Sequence, residues 1–292
     1  MKIEFQYSKI YDLVFHFLAH MKVENASDLY SPNYIETIAS IKSRNKSDIL
    51  QEASRLTAYY NENFERVGLI NFFPFYCKDL PSLKDLLRNS DAFCQEDQEQ
   101  FILPFLNCLE REYAFYSDYW EQVYFAHMDS RPSAESYILQ ALAKYDRLWD
   151  YCKKESAVVA FSFSLTRNGR GLRNDKAFTA IVPYPSSEDA YADSFFTLLH
   201  EYTHQITDAR LLTNIHMKDG SHALSENAAI LFDYYILKAM HEPDVSSYFA
   251  WFSKMAGKEE HPLTEAEFLS IFRMPDSLND TLASLVQAII EG

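Results

Sequence analysis

The sequence predicts a predominantly α-helical α+β protein, and three observations carry that expectation. Only six of the 292 residues are glycine, whereas turn-rich sandwiches and barrels need φ > 0 at many turns. A single glycine, Gly68, falls in the first 168 residues, where apolar positions recur at helical spacing. At Ser156 the apolar period shifts towards two, which marks a short β region. The chain therefore divides into a helical N-terminal region, 1–155, and a mixed region, 156–292.

The elements follow in order. From Ser8 to Tyr30, Ile10, Leu13, Val14, Phe17, Leu18 and Met21 form a helical stripe. Ser31-Pro32 reads as an N-cap with proline at the first helical position, opening a helix that reaches Tyr60. Pro74 and Pro81 break the stretch Asn71 to Pro81, which reads as a connection. Helical patterns resume over Ser82 to Arg88, Glu96 to Met128 (with Pro104 starting or kinking a helix) and Ser133 to Lys154. In Ala157 to Leu165, Phe161, Phe163 and Leu165 alternate with serines, so this is a strand. A polar loop with Gly169 and Gly171 leads to a second strand, Ala177 to Val182, ended by Pro183 and Pro185. The pair is a hairpin or two neighbouring strands. From Ser187 to Leu212 the chain is helical again, with Phe195, Leu199, Tyr202 and Ile206 on one stripe. After a polar connection, Thr213 to Ser221, further helices are expected over His222 to Met240, Ser246 to Ala256, Thr264 to Phe272 and Ser277 to Ile290.

Composition excludes several functions. A net charge of −15 argues against nucleic acid or an anionic membrane as the main partner. No window of 18 uncharged apolar residues occurs, so no transmembrane helix is expected. The first residues lack a basic segment followed by an apolar run and a cleavage site. Cys77, Cys94, Cys108 and Cys152 lack metal-knuckle or disulfide spacing and read as reduced core thiols. The expectation is a cytoplasmic protein.

The chemistry concentrates in His200-Glu201-Tyr202-Thr203-His204, an H-E-x-x-H pattern. Histidines at i and i+4 on one helical face can present ring nitrogens to one metal ion. A glutamate beside the first histidine stands where it can take a proton from water at that metal. His200, His204 and Asp208 each lie one turn from the next. A third ligand is needed. The H-x-x-G-x-x-H continuation is absent, because Thr207 and Arg210 occupy its glycine and last histidine positions. Glu226, 22 residues after His204 and early in the next helix, is the better candidate, although a carboxylate near a helix N-terminus also has a structural reason to be there.

HEYTHQITD followed by SENAAILFD resembles the gluzincin group of zinc metallopeptidases, with thermolysin-like enzymes the nearest by motif. Those share H-E-x-T-H-x-x-T-D, which His200, Glu201, Thr203, His204, Thr207 and Asp208 satisfy. The resemblance covers about forty residues. It implies a zincin-like core whose edge strand binds substrate backbone, with His200, His204 and Glu226 as Zn2+ ligands and Glu201 as catalytic base. The thermolysin-like aspartate four residues after the ligand glutamate is replaced by Ile230, so Asp233 or Asp208 is expected to supply the carboxylate that orients a zinc histidine. No G-x-M-E-N motif is present, and Thr203 stands where thimet-type oligopeptidases have glycine. A divergent intracellular member is implied.

The oxyanion formed in amide hydrolysis needs a donor besides the metal. His222, His216, Tyr234 and Tyr235 are candidates, and His222, one turn before Glu226, is preferred. Arg167, Arg170, Arg173 and Lys176 cluster between the two strands. Arg170 and Arg173 are candidates to bind an acidic group of a substrate, with a solvated hairpin tip as the alternative. His16, His20, His127, His241 and His261 are assigned no role. The expected activity is peptide-bond hydrolysis on a peptide or protein substrate. A catalytically inactive scaffold and a zinc amidase acting on a non-peptide amide are the competing expectations.

Overall fold

A mixed four-stranded sheet separates two helical layers in the computed structural model. The structure describes residues 2–21, 23, 32–45, 49–152, 155–166, 168–173, 177–212, 221–255 and 262–292, and of 32, 33, 42–45, 49–52, 173, 221 and 222 the backbone only. The strands are β1 (Lys2–Tyr7), β2 (Ser156–Ser162), β3 (Arg170–Arg173) and β4 (Ala177–Pro183), in the spatial order β1-β2-β4-β3. β1, β2 and β4 are mutually parallel, with Phe5 opposite Val159 and Val159 opposite Ala180. β3 closes one edge, antiparallel to β4, with Gly171 opposite Ala180.

The strands expected at 157–165 and 177–182 are thus neighbours, but parallel ones; the hairpin is made by β3 and β4 instead. Residues read as a polar loop hold β3, whose Arg-Gly-Leu-Arg sequence has a single apolar side chain to signal a strand. β1 also lies outside the sequence reading, although Ile3, Phe5 and Tyr7 alternate with polar residues. Its partner β2 begins 149 residues beyond the end of β1 (156 against 7), so no local pattern reveals the pairing.

The two faces of the central strands serve different cores. Ala157, Val159 and Phe161 of β2, with Phe178, Ala180 and Val182 of β4, pack into one. Ala160 and Ile181 pack into the other. Burial on both faces is the usual condition of parallel strands. The second core is built by α1 (Lys9–His20), α2 (Pro32–Asn45), α3 (Ile49–Glu62), α4 (Leu80–Arg88) and α5 (Leu103–Ala126). The first takes α6 (Arg131–Ala143), α7 (Asp146–Tyr151), α8 (Tyr191–Thr207), α9 (Ser221–Met240), α10 (Pro243–Met255), α11 (Glu265–Ile271) and α12 (Asp276–Glu291). β1, α6 and α7 come from the N-terminal region, yet they pack with the sheet and the later helices.

The helix read from Pro32 to Tyr60 is two helices, and the one read from Ser133 to Lys154 ends at Ala143 before a second begins at Asp146. Pro104 lies at the start of α5, directly after a π turn, Gln98–Ile102, that runs into the helix. Cys77 and Cys108 are buried, but Cys94 is exposed: its thiol donates to Asp97 Oδ2 at 3.1 Å beside a short helical turn. None of these thiols is bonded to another. Among the described residues no helix is long and apolar enough to cross a membrane.

Candidate metal centre

Helix α8 owes its orientation to its apolar stripe. Phe195, Leu199, Tyr202 and Ile206 are all buried, each contributing about 1.5–3 kcal/mol by leaving water. With that stripe against the core, His200, Glu201 and His204 are left half-buried on a different side, facing α9 and β3. The helix then widens into a π turn, Asp208–Leu212, a distortion often found at functional sites.

Glu226 on α9 reaches both histidines. His200 Nε2 stands 3.2 Å from His204 Nε2 and 3.2 Å from Glu226 Oε2, and His204 Nε2 stands 3.4 Å from Glu226 Oε1. Ligands held tetrahedrally at about 2.0–2.1 Å from one ion lie about 3.3–3.4 Å from each other. Among the described residues this is the one group of three or more such side chains that could hold a metal ion.

The outer partners determine which nitrogens are free to ligate. His200 Nδ1 lies 3.0 Å from Asp233 Oδ2. Asp233 is fully buried, and its carboxylate also accepts from Thr203 at 2.8 Å and Tyr248 at 3.3 Å. Ser225 donates to Asp208 Oδ1 at 2.7 Å and lies 3.3 Å from His204 Nδ1. Its hydroxyl has one proton, so with that proton on Asp208 its lone pair accepts from His204 Nδ1–H. Both rings then carry their proton on Nδ1 and aim an Nε2 lone pair at Glu226. Three acceptors converging at these distances need a cation or a proton between them. In keeping with this, although burial works against charge on His200, its contacts with Asp233 and Glu226 hold its pKa well above the ordinary imidazole value. Burial and the neighbouring His200 charge push His204 down.

Glu201 is wedged under the edge strand. A methyl group on Gly171 would lie 3.1 Å from Glu201 Oε2, and one on Gly169 would lie 2.8 Å from its Cγ and 2.9 Å from the Ile181 carbonyl oxygen. Only backbone fits between the strand and the carboxylate, and the Gly171 N–H donates to it. Burial raises the Glu201 pKa above the usual carboxylate range, against the opposing charges of His200 and Arg170. A carboxyl whose pKa is raised in this way is a better proton acceptor than an ordinary carboxylate.

His200, Glu201, His204, Glu226 and Asp233 therefore meet in one place, and Asp208 reaches it through Ser225. Arg170 on β3 is half-buried, with its charge felt at Glu201 and its Nη1 donating to the Gly169 carbonyl at 2.7 Å. The side chains of His222 and Arg173, and all of His216, Arg167 and Lys176, lie outside the described residues. Tyr234 is buried, with its hydroxyl engaged by Glu265 and Lys238. Sequence reasoning missed Ser225, Tyr248 and the Thr203 hydroxyl as partners; Ser225, adjacent to Glu226, was the most accessible of these. Compared with known protein families, curated proteins and solved structures, the chain matches none.

Proposed function

We propose that this protein is a zinc-dependent peptidase in which Glu201 moves the proton. The observation that carries this reading is the convergence of His200 Nε2, His204 Nε2 and a Glu226 oxygen at 3.2–3.4 Å, with Glu201 one residue along the same helix. The ligand atoms and their spacing suit Zn2+, which when bound lowers the pKa of water to about 7 and polarises a carbonyl. A zincin-like core, with β3 as the strand lying beside a substrate, is part of the same reading.

Glu201 takes a proton from the attacking water as the water oxygen bonds to the scissile carbonyl carbon. The C–N bond then breaks, and Glu201 returns that proton to the departing amine nitrogen. Gly171 N–H fixes one carboxylate oxygen, so the proton is held at a defined position. Asp233 and the Asp208–Ser225 pair keep the two imidazoles in the required tautomer. Arg170, whose charge is felt at Glu201, is the candidate to attract an acidic group of the substrate.

The test is cleavage of a mixed peptide library by the metal-loaded protein. Cleavage is expected to stop on chelation and resume when zinc is restored. Glu201→Gln should bind the same amount of zinc and lose about 10²–10⁴-fold in turnover. Undiminished turnover by that variant would sink the mechanism, and stoichiometric zinc with no peptide cleaved would favour a scaffold.

A further inference from the structure

At the carboxyl ends of the parallel strands β2 and β4, between the two helical layers, lies a cavity of about 710 Å³. That volume is typical of pockets that enclose small ligands, and strand carboxyl ends are where open sheets bind them. Tyr119 of α5, Phe163 beyond β2, Tyr184 beyond β4 and Trp251 of α10 contribute to its lining, with Ser194 and Thr197 of α8. None of the metal-centre residues lines it.

Three features define what would enter. The walls already hold an aromatic cluster: Phe163 stacks on His127 at 5.6 Å between centroids and lies 5.1 Å from Tyr184. A further ring would find both faces and edges to pack on. The opposite charges in the lining cancel, because Lys254 is paired with Asp193 at 3.0 Å, and burial keeps the His127 pKa low. Among the described lining residues, an ionised group would therefore meet only charges already paired with each other. Finally, the cavity adjoins the reactive carboxylate. Thr197 lies one turn before Glu201, and a methyl on Gly169 would touch Thr197 Cγ2 and Glu201 Cγ, each at 2.8 Å. Gly169 thus sits in the angle between the cavity floor and Glu201.

We infer that this cavity receives an uncharged aromatic side chain of the substrate whose amide lies at the metal centre. The inference rests on the peptidase reading for what carries the side chain, but the cavity is tested separately from catalysis. Binding of N-acetylphenylalanine amide and of N-acetylalanine amide to the full-length protein is compared by calorimetry. The phenyl compound should bind about tenfold or more tightly, from the burial of its ring. Val123→Trp, within the lining, and Ser186→Trp, at an exposed position on it, should each remove that difference by filling the cavity. Ser186→Trp keeps the test available where Val123→Trp does not fold. Glu201→Gln should retain the selectivity. Equal binding of the two amides, or selectivity surviving in both folded tryptophan variants, would overturn the inference. Peptides differing by Phe or Ala at each position beside the scissile bond provide the second arm. Cleavage with no preference for Phe would overturn the cavity's role and leave the peptidase reading intact. Selective amide binding with no peptide cleaved would support the aromatic site and remove the peptidase reading.

Discussion

The molecule contains two histidine pairs at i and i+4, one in each helical layer, and they do different things. His16 and His20 on α1 have ring centroids 4.5 Å apart; His200 and His204 on α8 have theirs 4.7 Å apart. Each pair also meets a carboxylate from another helix, Glu112 at 2.8 Å from His16 Nε2 and Glu226 at 3.2 Å from His200 Nε2. The remaining nitrogens separate them. His16 Nδ1 is engaged by Tyr34 at 2.9 Å, and His20 Nδ1 turns back to the His16 carbonyl at 2.7 Å. On α8 both Nδ1 atoms point outward to Asp233 and Ser225, so both Nε2 atoms converge. Access differs as well. His16 and Glu112 side chains are 0% and 3% exposed, whereas His200, His204 and Glu226 are 13%, 20% and 35% exposed. Helical spacing brings rings together, but the outer partners and solvent access decide whether a pair can serve as a metal site.

The sharpest way to break this contrast is to remove the carboxylate from each pair. Glu226→Ala should abolish stoichiometric zinc and all cleavage. Glu112→Ala should leave zinc stoichiometry unchanged and cost about 1–3 kcal/mol of folding stability, since His16 Nε2 loses its buried partner. Elemental analysis and urea denaturation measure the two, and zinc retained by Glu226→Ala would dissolve the distinction. Next in size is the edge strand, for which the α1 pair has no counterpart. Gly171→Ala must displace β3 or Glu201 by a few tenths of an ångström or more, and misplacement of a reacting group can cost on the order of 10²-fold. Cleavage should fall with zinc content unchanged; loss of zinc instead would show that β3 supports the ligands rather than the base. Smaller still, Asp233→Asn should weaken zinc binding about 10–100-fold, read by competition with a chelator of known affinity. Unchanged affinity would mean that His200 keeps its orientation by packing alone.

Much of the candidate metal site is legible in the sequence because its spacing is local. His200, Glu201 and His204 lie within one and a half turns of one helix, and Glu226 follows after a single connection. Asp233 becomes visible once Glu226 is placed, since both lie on the next helix. What stays hidden is non-local. β1 pairs with a strand on the far side of the N-terminal helices, and β3 is too short and polar to announce itself. The predominance of helix follows from composition, whereas the parallel order of β2 and β4 depends on a crossover that no local pattern encodes. The α1 pair, assigned no role from the sequence, is the instructive contrast. His16 and His20 have the same spacing as His200 and His204, and only the fold reveals that they support a buried network.

That network supplies the last effect, one read only against pH. Asp12, fully buried at the start of α1, accepts from Trp120 Nε1 at 2.7 Å, from the Phe163 and Ser164 amides at 3.1 and 3.3 Å, and from the Ser162 hydroxyl. It ties the N-terminal layer to the end of β2. Burial outweighs these donors and pushes its pKa up to about 6 from an ordinary 3.8. Below 3.8 both folded and unfolded chains hold the proton. Between 3.8 and 6 the folded protein keeps a proton that the unfolded chain has lost, and above 6 the folded state carries the full cost of a buried charge. Asp12 therefore favours folding in acid, and that contribution is lost as pH rises through this window. Between pH 4 and pH 7 the difference amounts to about 2 kcal/mol. Asp12→Asn removes the titration, so with zinc withheld from both proteins, wild type should lose about 2 kcal/mol relative to the variant over that range. The slope against pH decides the matter, because the variant's altered hydrogen bonds shift its stability by an amount that does not depend on Asp12 ionisation. Parallel stability curves would mean that the charge at Asp12 is as well accommodated in the folded protein as in water.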